Sequence, residues 1–357
     1  MPVAPASSPD AWTSTTDVLG LVKWLAGCKR IVVLTHVKPD GDAVGSSIAV
    51  TRALNLAAKG HGPIAVPWYW GPLPDWMPDI AGPTQFRVVT EDKPAHHDDR
   101  EDPDGVLILD TGSWTQLHEV REWLLERHAI AGVLDHHRQG NGDVAPRRVV
   151  LPEAAAVCEP AAELCRLLLK LPSAAKMPVE IAEPLYLGLA TDTGWFRHSN
   201  VSPAAMRLAA DLLQAGVNHS RLYELVEQRD RVSRLRLLGR ALASLEMHHQ
   251  DRVALMSLTL RDFEDCHAAP TDSAGFSELA LACETVKVSV ILTEAFRTEG
   301  ESGHITKVSF RAKSGPGGVD VGSVAARLGG GGHIPAAGAK LACPMDEAKR
   351  KVIEALK

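Results

Sequence analysis

The chain has 357 residues, 45% of them hydrophobic and 23% charged, with a formal net charge of -6. That length accommodates two domains with separate cores, and the composition is that of an ordinary soluble globular protein. The negative balance argues against a long electrostatic track for duplex DNA, and no apolar stretch approaches the roughly 20 residues of a membrane span. The six cysteines (28, 158, 165, 266, 283 and 343) form no CxxC pair and read as scattered thiols in a reducing compartment. The opening MPVAPASSPDAW lacks the order of a signal peptide. Rich in Pro, Ala and Ser, it is expected to be a loose terminus over residues 1–14 of a cytoplasmic protein.

In chain order, Thr13 to Gly27 reads as an amphipathic helix. The apolar run Ile31 to Leu34 reads as a buried strand, followed by His36, Asp40 and Asp42 and then by a helical pattern that stops at Gly60. PIAVPW (63–68) is a second strand candidate, and 67–83, rich in Pro, Trp and Gly, reads as an irregular loop. Its Trp68, Trp70 and Trp76 are expected to cover the sheet rather than to stack on a ligand. The acidic stretch 91–104 holds His96, His97, Asp98 and Asp99, but no apolar strand places them, so a solvated connection is expected.

The first design then recurs. Val106 to Leu109 is an apolar run ending in Asp110, with a helix expected from Ser113 to His128; Gly132 to Leu134 ends in Asp135-His136-His137. Helical patterns follow at 159–169 and 179–190, the latter running into Thr191-Asp192, and at 203–215, with Pro203 after the cap Ser202. A charged stretch, 218–250, reads as one connecting helix between domains 15–217 and 251–357. Beyond it, 253–259, 288–296 and 305–312 read as strands, and Gly315 to Gly318 as a flexible turn. Four consecutive glycines before His333 lose much backbone entropy on folding. They are expected as a loop whose N–H groups approach a phosphate.

Strands alternating with helices imply an α/β fold, a parallel sheet whose strand ends share one edge, where open α/β sheets hold their ligands. His36, Asp40, Asp42, Asp110, His136 and Asp192 should then converge. Four carboxylates cannot crowd together without positive charge. Two divalent cations resolve this, and carboxylate with imidazole suits Mn²⁺, with Mg²⁺, Co²⁺ or Zn²⁺ as substitutes. Two such ions about 3.5 to 4 Å apart clamp an in-line attack of water on phosphorus.

HVKPDGDAVGS, LILD, VLDHH and GLATDTG, in this order, resemble the four motifs of the DHH phosphoesterases, and VSFRAK with GGGGHIPAAG resembles their DHH-associated C-terminal domain. The resemblance covers roughly residues 15 to 340 and is strongest to the oligoribonuclease and 3′-phosphoadenosine 5′-phosphate (pAp) phosphatase branch. It implies one metal on His36, Asp40 and Asp110, another on Asp42, Asp110, His136 and Asp192, with Asp110 as the bridge. It implies His137 at the scissile phosphate or as an acid near the leaving group, and Asp135 orienting a histidine. From a smaller α/β substrate domain, Arg311, His333 and Gly330, Gly331 and Gly332 would hold the nucleotide, with Ser309 and Lys313 as weaker candidates on the same strand face. The two domains would close over a short substrate. The partners implied are short RNA or a nucleotide, with no long duplex DNA and no membrane, and a homodimer is one admissible assembly. One departure is Ala154 to Glu159, where the family often has hydroxyl residues, so a hydroxyl contact near the site is expected to be missing. Alternatives sharing the site residues are a linear or cyclic dinucleotide phosphodiesterase and a silent nucleotide sensor. A type II pyrophosphatase would want a Lys- and Arg-rich phosphate signature in place of GGGGH.

Overall fold

The computed structural model describes residues 11–58, 65–90, 102–295, 304–313 and 318–357. The acidic candidates His96, His97, Asp98 and Asp99, and most of the expected 315–318 turn, lie outside the described residues. The chain forms two compact units, Met1–Gln228 and Arg229–Lys357.

The first unit runs α1 (Val18–Leu25), β1 (Ile31–Leu34), α2 (Gly41–Ala57), β2 (Ala65–Trp70), α3 (Met77–Ala81), β3 (Arg87–Val89), β4 (Gly105–Leu109), α4 (Arg121–Glu126), β5 (Ala131–Asp135), β6 (Arg147–Val150), α5 (Cys158–Leu168), α6 (Val179–Asp192), α7 (Pro203–Gln214) and α8 (His219–Glu227). Its six strands are parallel, in the order β3-β2-β1-β4-β5-β6. Helices cover both faces. Ile31, Val33, Leu107 and Leu109 enter one core with α1, α2, α5 and α6, while Val32, Leu34, Val106 and Ile108 enter another with α4. Such double burial explains why β1 and β4 are uninterrupted apolar runs. Strand order reverses between β1 and β4, so the crevice beyond their carboxyl ends is the ligand position of a doubly wound sheet.

The second unit comprises α9 (Val232–Ala243), β7 (Glu246–His248), β8 (Val253–Leu258), α10 (Leu260–Cys266), α11 (Phe276–Leu279), β9 (Val288–Glu294), β10 (Thr306–Ala312), α12 (Val321–Arg327), β11 (Gly331–His333), β12 (Ala336–Leu341) and α13 (Met345–Ala355). Its mixed sheet runs β11-β12-β10-β9-β8-β7, with only β8 and β9 parallel. No helix among the described residues is long and apolar enough to cross a membrane.

Several local expectations change. Helix α1 starts at Val18, capped by Asp17, because residues 13–16 bond to β6 instead. The stretch 67–83 is not one loop: Trp68 and Trp70 are buried in β2, and α3 follows. The helix expected from Ser113 to His128 shrinks to a 3-10 turn at His118–Val120 and the six residues of α4. Buried Trp114, Leu117, Val120 and Trp123 recur every three residues, the 3-10 period. The single connecting helix over 218–250 is two helices and a strand, broken where Arg231 turns extended and pairs with Asp272 at 2.8 Å.

Candidate metal centre

Each strand end delivers a donor. β1 leads into His36, β4 into Asp110 and β5 into Asp135, His136 and His137. Helix α2 adds two more. Asp40 caps it, accepting from the N–H groups of Asp42 and Ala43 at 3.0 and 3.1 Å, and Asp42 lies in its first turn. Asp192 is the last residue of α6. All six donors expected from the sequence thus meet in the first unit, in two clusters whose ligand atoms lie within 4.8 Å of one another: His36, Asp40 and Asp110, and Asp42, His136 and Asp192. Asp110 stands between them. Its Oδ2 is 3.5 Å from His36 Nε2, and its Oδ1 is 3.4 Å from His136 Nε2 and 3.8 Å from His137 Nδ1.

These residues fit a pair of divalent cations. Separations of 3.4 to 3.8 Å are too long for good hydrogen bonds. Two donors about 2.1 Å from a shared ion stand roughly 3.0 to 3.4 Å apart at octahedral or tetrahedral angles, close to what is seen. Asp110 Oδ1 is buried with no hydrogen-bond partner, a costly state unless something else satisfies it. Both histidines are set for ligation. His36 Nδ1 bonds the Val37 carbonyl at 2.9 Å and His136 Nδ1 the Ala154 carbonyl at 3.2 Å, leaving each Nε2 toward the carboxylates.

Without an ion, protons take its place. Burial disfavours charge on His36, yet Asp110 and Asp40 outweigh it and raise the imidazole to about 10. His136 likewise rises to about 10 against its burial, held by Asp110, Asp42 and Asp192. Burial, reinforced by Asp110 and Asp192, pushes Asp42 well above the usual carboxylate range. Burial carries Asp192 to about 6.

Asp42 is fully enclosed. Val157 and Cys158 N–H donate to its two oxygens at 2.6 and 3.0 Å. Main-chain donors at the start of α5 therefore hold this carboxylate within the stretch that lacks hydroxyl side chains. Burial and the Asp42 charge keep the Cys158 thiol well above its usual range, and Cys158 belongs to neither donor cluster. Asp42 reaches Asp192 because α2 crosses α6 almost backbone to backbone: a Cβ at Gly45 would lie 2.2 Å from the Pro184 carbonyl, and one at Gly188 would lie 2.8 Å from Asp42 Oδ1.

His137 differs from its neighbour. Its Nδ1 bonds Asp135 Oδ1 at 2.8 Å, an oxygen that also accepts from the His136 and His137 N–H groups. That bond to Asp135 raises the His137 imidazole above its ordinary value against its partial burial.

In the second unit the glycine run is not a free loop. Gly331–His333 is an edge strand paired to β12. Glycine is demanded there by the chain's own backbone, since a Cβ at Gly330 would lie 2.1 Å from the Gly338 carbonyl and one at Gly332 2.5 Å from Ala337 Cα. Arg311 and His333 both stand opposite Ala336, and Ser309 and Gly331 both opposite Gly338. Directly opposed residues share a face, so Arg311 and His333 point the same way, about 10 Å apart across two strand spacings. Arg311 pairs with Glu278 at 3.1 Å, while Lys313 bonds the Cys283 and Glu284 carbonyls.

Two contributors carried no sequence signal. Asn200 Nδ2 donates to the carbonyls of Ala155 and Asp192 at 3.0 and 3.2 Å, tying the stretch that supports His136 and Asp42 to the end of α6. Trp12, in a terminus expected to be loose, donates from Nε1 to the His137 carbonyl at 2.9 Å.

Known proteins resemble this chain. Residues 30–189, which contain both clusters apart from Asp192, match the DHH family, N-terminal domain. The chain is 32% identical over 362 residues to the bifunctional oligoribonuclease and PAP phosphatase NrnA of Thermus thermophilus, spanning 99% of this chain and 96% of the relative. It is 23% identical to the Mycoplasma pneumoniae protein of the same name, over 89% of each. In structure it resembles an exopolyphosphatase-related protein from Bacteroides fragilis, with a TM-score of 0.80, 25% identity and 95% of each chain covered. An acidic and imidazole metal centre at the switch point of a doubly wound sheet, with a near full-length relative of this kind, leads to one conclusion: the chain belongs to the DHH family of metal-dependent phosphoesterases.

Proposed function

We propose that this protein is a Mn²⁺-dependent phosphohydrolase of the cytoplasm that releases 5′-mononucleotides from short oligoribonucleotides and removes the 3′-phosphate of pAp. The observation that carries the reading is the buried Asp110 carboxylate standing between two donor clusters. The name of the Thermus thermophilus relative supports the substrate class. The donors are carboxylates and imidazoles with no thiolate, which suits Mn²⁺, and six free cysteines suit a reducing compartment. His36, Asp40 and Asp110 would hold one ion, and Asp42, Asp110, His136 and Asp192 the other. Bound there, the pair supplies an activated water and neutralises charge building on the phosphoryl oxygens.

The chain's own groups do the rest. Both proposed reactions break a bond between phosphorus and a 3′-oxygen, which must leave with a proton. His137 is the group we assign to deliver it: its Nδ1–H donates to Asp135, which favours the imidazolium, and in that form Nε2 carries the second proton on an exposed ring. In the second unit, Arg311, Ser309 and His333 surround a floor of Ala336, Gly338 and Gly331, where an exposed backbone and a guanidinium fork suit a phosphate or ribose.

The test is a hydrolysis panel with Mn²⁺ against a chelated control, on pAp, two- to many-residue RNA and DNA ladders, pApA, cyclic di-AMP and pyrophosphate. Turnover of pAp and the shortest RNAs is expected. Activity confined to dinucleotides would replace the reading with a signalling phosphodiesterase, and no metal-dependent turnover would remove it.

Loading should also depend on pH in a defined direction. His36, His136 and Asp192 all have folded values above their ordinary ones. The metal-free fold therefore binds more protons than the unfolded chain, and its stability falls as pH rises, through about 4 to 6 for Asp192 and about 6.5 to 10 for the histidines. An ion must displace those protons, so its apparent affinity rises about tenfold per pH unit for each proton displaced. Saturating Mn²⁺ is expected to raise Tm by more at about pH 8.5 than at about pH 6; an equal shift at both would refute this protonation scheme.

A further inference from the structure

The segment 11–17 is tied down residue by residue. Thr15 and Thr16 N–H donate to the Arg148 carbonyl at 2.8 and 3.2 Å. Arg148 N–H returns a bond to Thr15 Oγ1 at 2.8 Å, and Ser14 Oγ both donates to and accepts from Val150, at 3.0 and 2.8 Å. The Arg148 side chain is buried, and its guanidinium donates to the carbonyls of Ala11, Thr13, Gly142 and Ala145. A buried guanidinium held by four carbonyls is a costly arrangement to break, so the segment is a strap along β6.

The strap ends on the catalytic loops. Trp12 lies over Gly140, where a Cβ would come 2.5 Å from the indole ring atoms, and meets Gly112, where a Cβ would come 1.7 Å from the ring edge. Gly112 is two residues past Asp110, and Gly140 three past His137. One indole therefore spans the loop after β4 and the loop after β5, which also join through Asn141 N–H and the Gly112 carbonyl at 2.7 Å. The Trp12 N–H fixes the His137 carbonyl, and Asp135 fixes its Nδ1 and N–H. The His137 side chain is itself 53% exposed, so packing does little to orient it and these bonds set its direction.

We propose that Trp12 is a positioning residue for His137, keeping Nε2 where it can protonate the leaving 3′-oxygen; this rests on the reading of His137 as that acid. In the step, a bond forms from water oxygen to phosphorus and the bond from phosphorus to the 3′-oxygen breaks. The leaving oxygen takes the Nε2 proton, and the proton shed by water recharges the imidazole through solvent. Trp12 touches none of the reacting atoms.

The experiment uses the full chain loaded with Mn²⁺ and two substrates. A dinucleotide leaves through a ribose oxygen that needs a proton, whereas a p-nitrophenyl ester of a nucleoside 5′-phosphate leaves as a stabilised anion that does not. Trp12→Phe keeps an aromatic side chain but deletes the N–H and shortens the ring system; Gly140→Ala keeps the N–H and displaces the indole. Both should lower kcat on the dinucleotide by about 10- to 100-fold, the usual cost of a lost supporting contact. Turnover of the p-nitrophenyl ester, KM and Mn²⁺ affinity should each stay within about threefold, well inside that cost. Equal losses on both substrates, or no loss, would overturn the proposal, since a merely structural strap cannot tell leaving groups apart. His137→Ala runs beside them. If it shows the selective loss and the Trp12 variant does not, the strap proposal alone falls. If His137→Ala is not selective, the assignment of His137 falls and the strap's role falls with it.

Discussion

Asp110→Asn is expected to abolish nearly all phosphohydrolysis while leaving the fold in place. Asp110 has φ +63, in the left-handed region. Asparagine tolerates that region better than almost any residue except glycine, whereas alanine would add strain of about 1 to 2 kcal/mol. The amide therefore removes only the charge. With the shared carboxylate gone, the His36 and Asp40 cluster loses a member and the Asp42, His136 and Asp192 cluster loses its proposed bridge, and the charge neutralisation that the ions supply, worth several kcal/mol, is lost. At 1.36 kcal/mol per tenfold this is about 10³- to 10⁴-fold in kcat. Titration with Mn²⁺ should show the saturating thermal shift reduced or absent. Wild-type turnover in this variant would show that Asp110 is not the common ligand.

Gly188→Ala should weaken the site without replacing any of the six donors. The added Cβ would lie 2.3 Å from Cys158 Sγ, 2.8 Å from Asp42 Oδ1 and 3.0 Å from Asp42 Cα. Overpacking of this kind costs about 1 to 3 kcal/mol, roughly 2 to 10 °C in Tm for a unit of this size. The sulfur can be removed and the Asp42 main chain cannot. Gly188→Ala with Cys158→Ala is therefore expected to recover part of the lost Tm but little of the lost Mn²⁺ affinity, which should be down at least about tenfold, as for other disturbed ligand supports. Full recovery of both in the double variant would mean that Asp42 had not been displaced.

The donors were legible because each is a local event: an apolar run, then a carboxylate or imidazole at its end, as in Leu109-Asp110 and Leu134-Asp135-His136. Parallel strands with right-handed crossovers bring those ends to one edge whatever the connections contain. What brings α2 against α6 was not legible, because Gly45 and Gly188 acquire their meaning only when the two helices meet. Trp12 is a lone aromatic in a Pro- and Ser-rich segment, and its partners lie 100 or more residues away. That the glycine run forms an edge strand rather than a loop was illegible for a related reason. Its close approach is to its own hairpin partner at Gly338 and Ala337, which no spacing along the chain announces. Apolar residues every three positions at 114–123 serve a 3-10 turn as well as an α-helix.

All six expected metal donors, from His36 to Asp192, lie in the first compact unit, and the face bearing Arg311, Ser309 and His333 lies wholly in the second. On the proposed function, bond-breaking and substrate choice are written in separate stretches of the chain. That reading predicts that substitutions in the second stretch retune which phosphate esters are admitted while the hydrolytic machinery stays intact, so a lineage built on this plan would change diet without passing through an inactive ancestor.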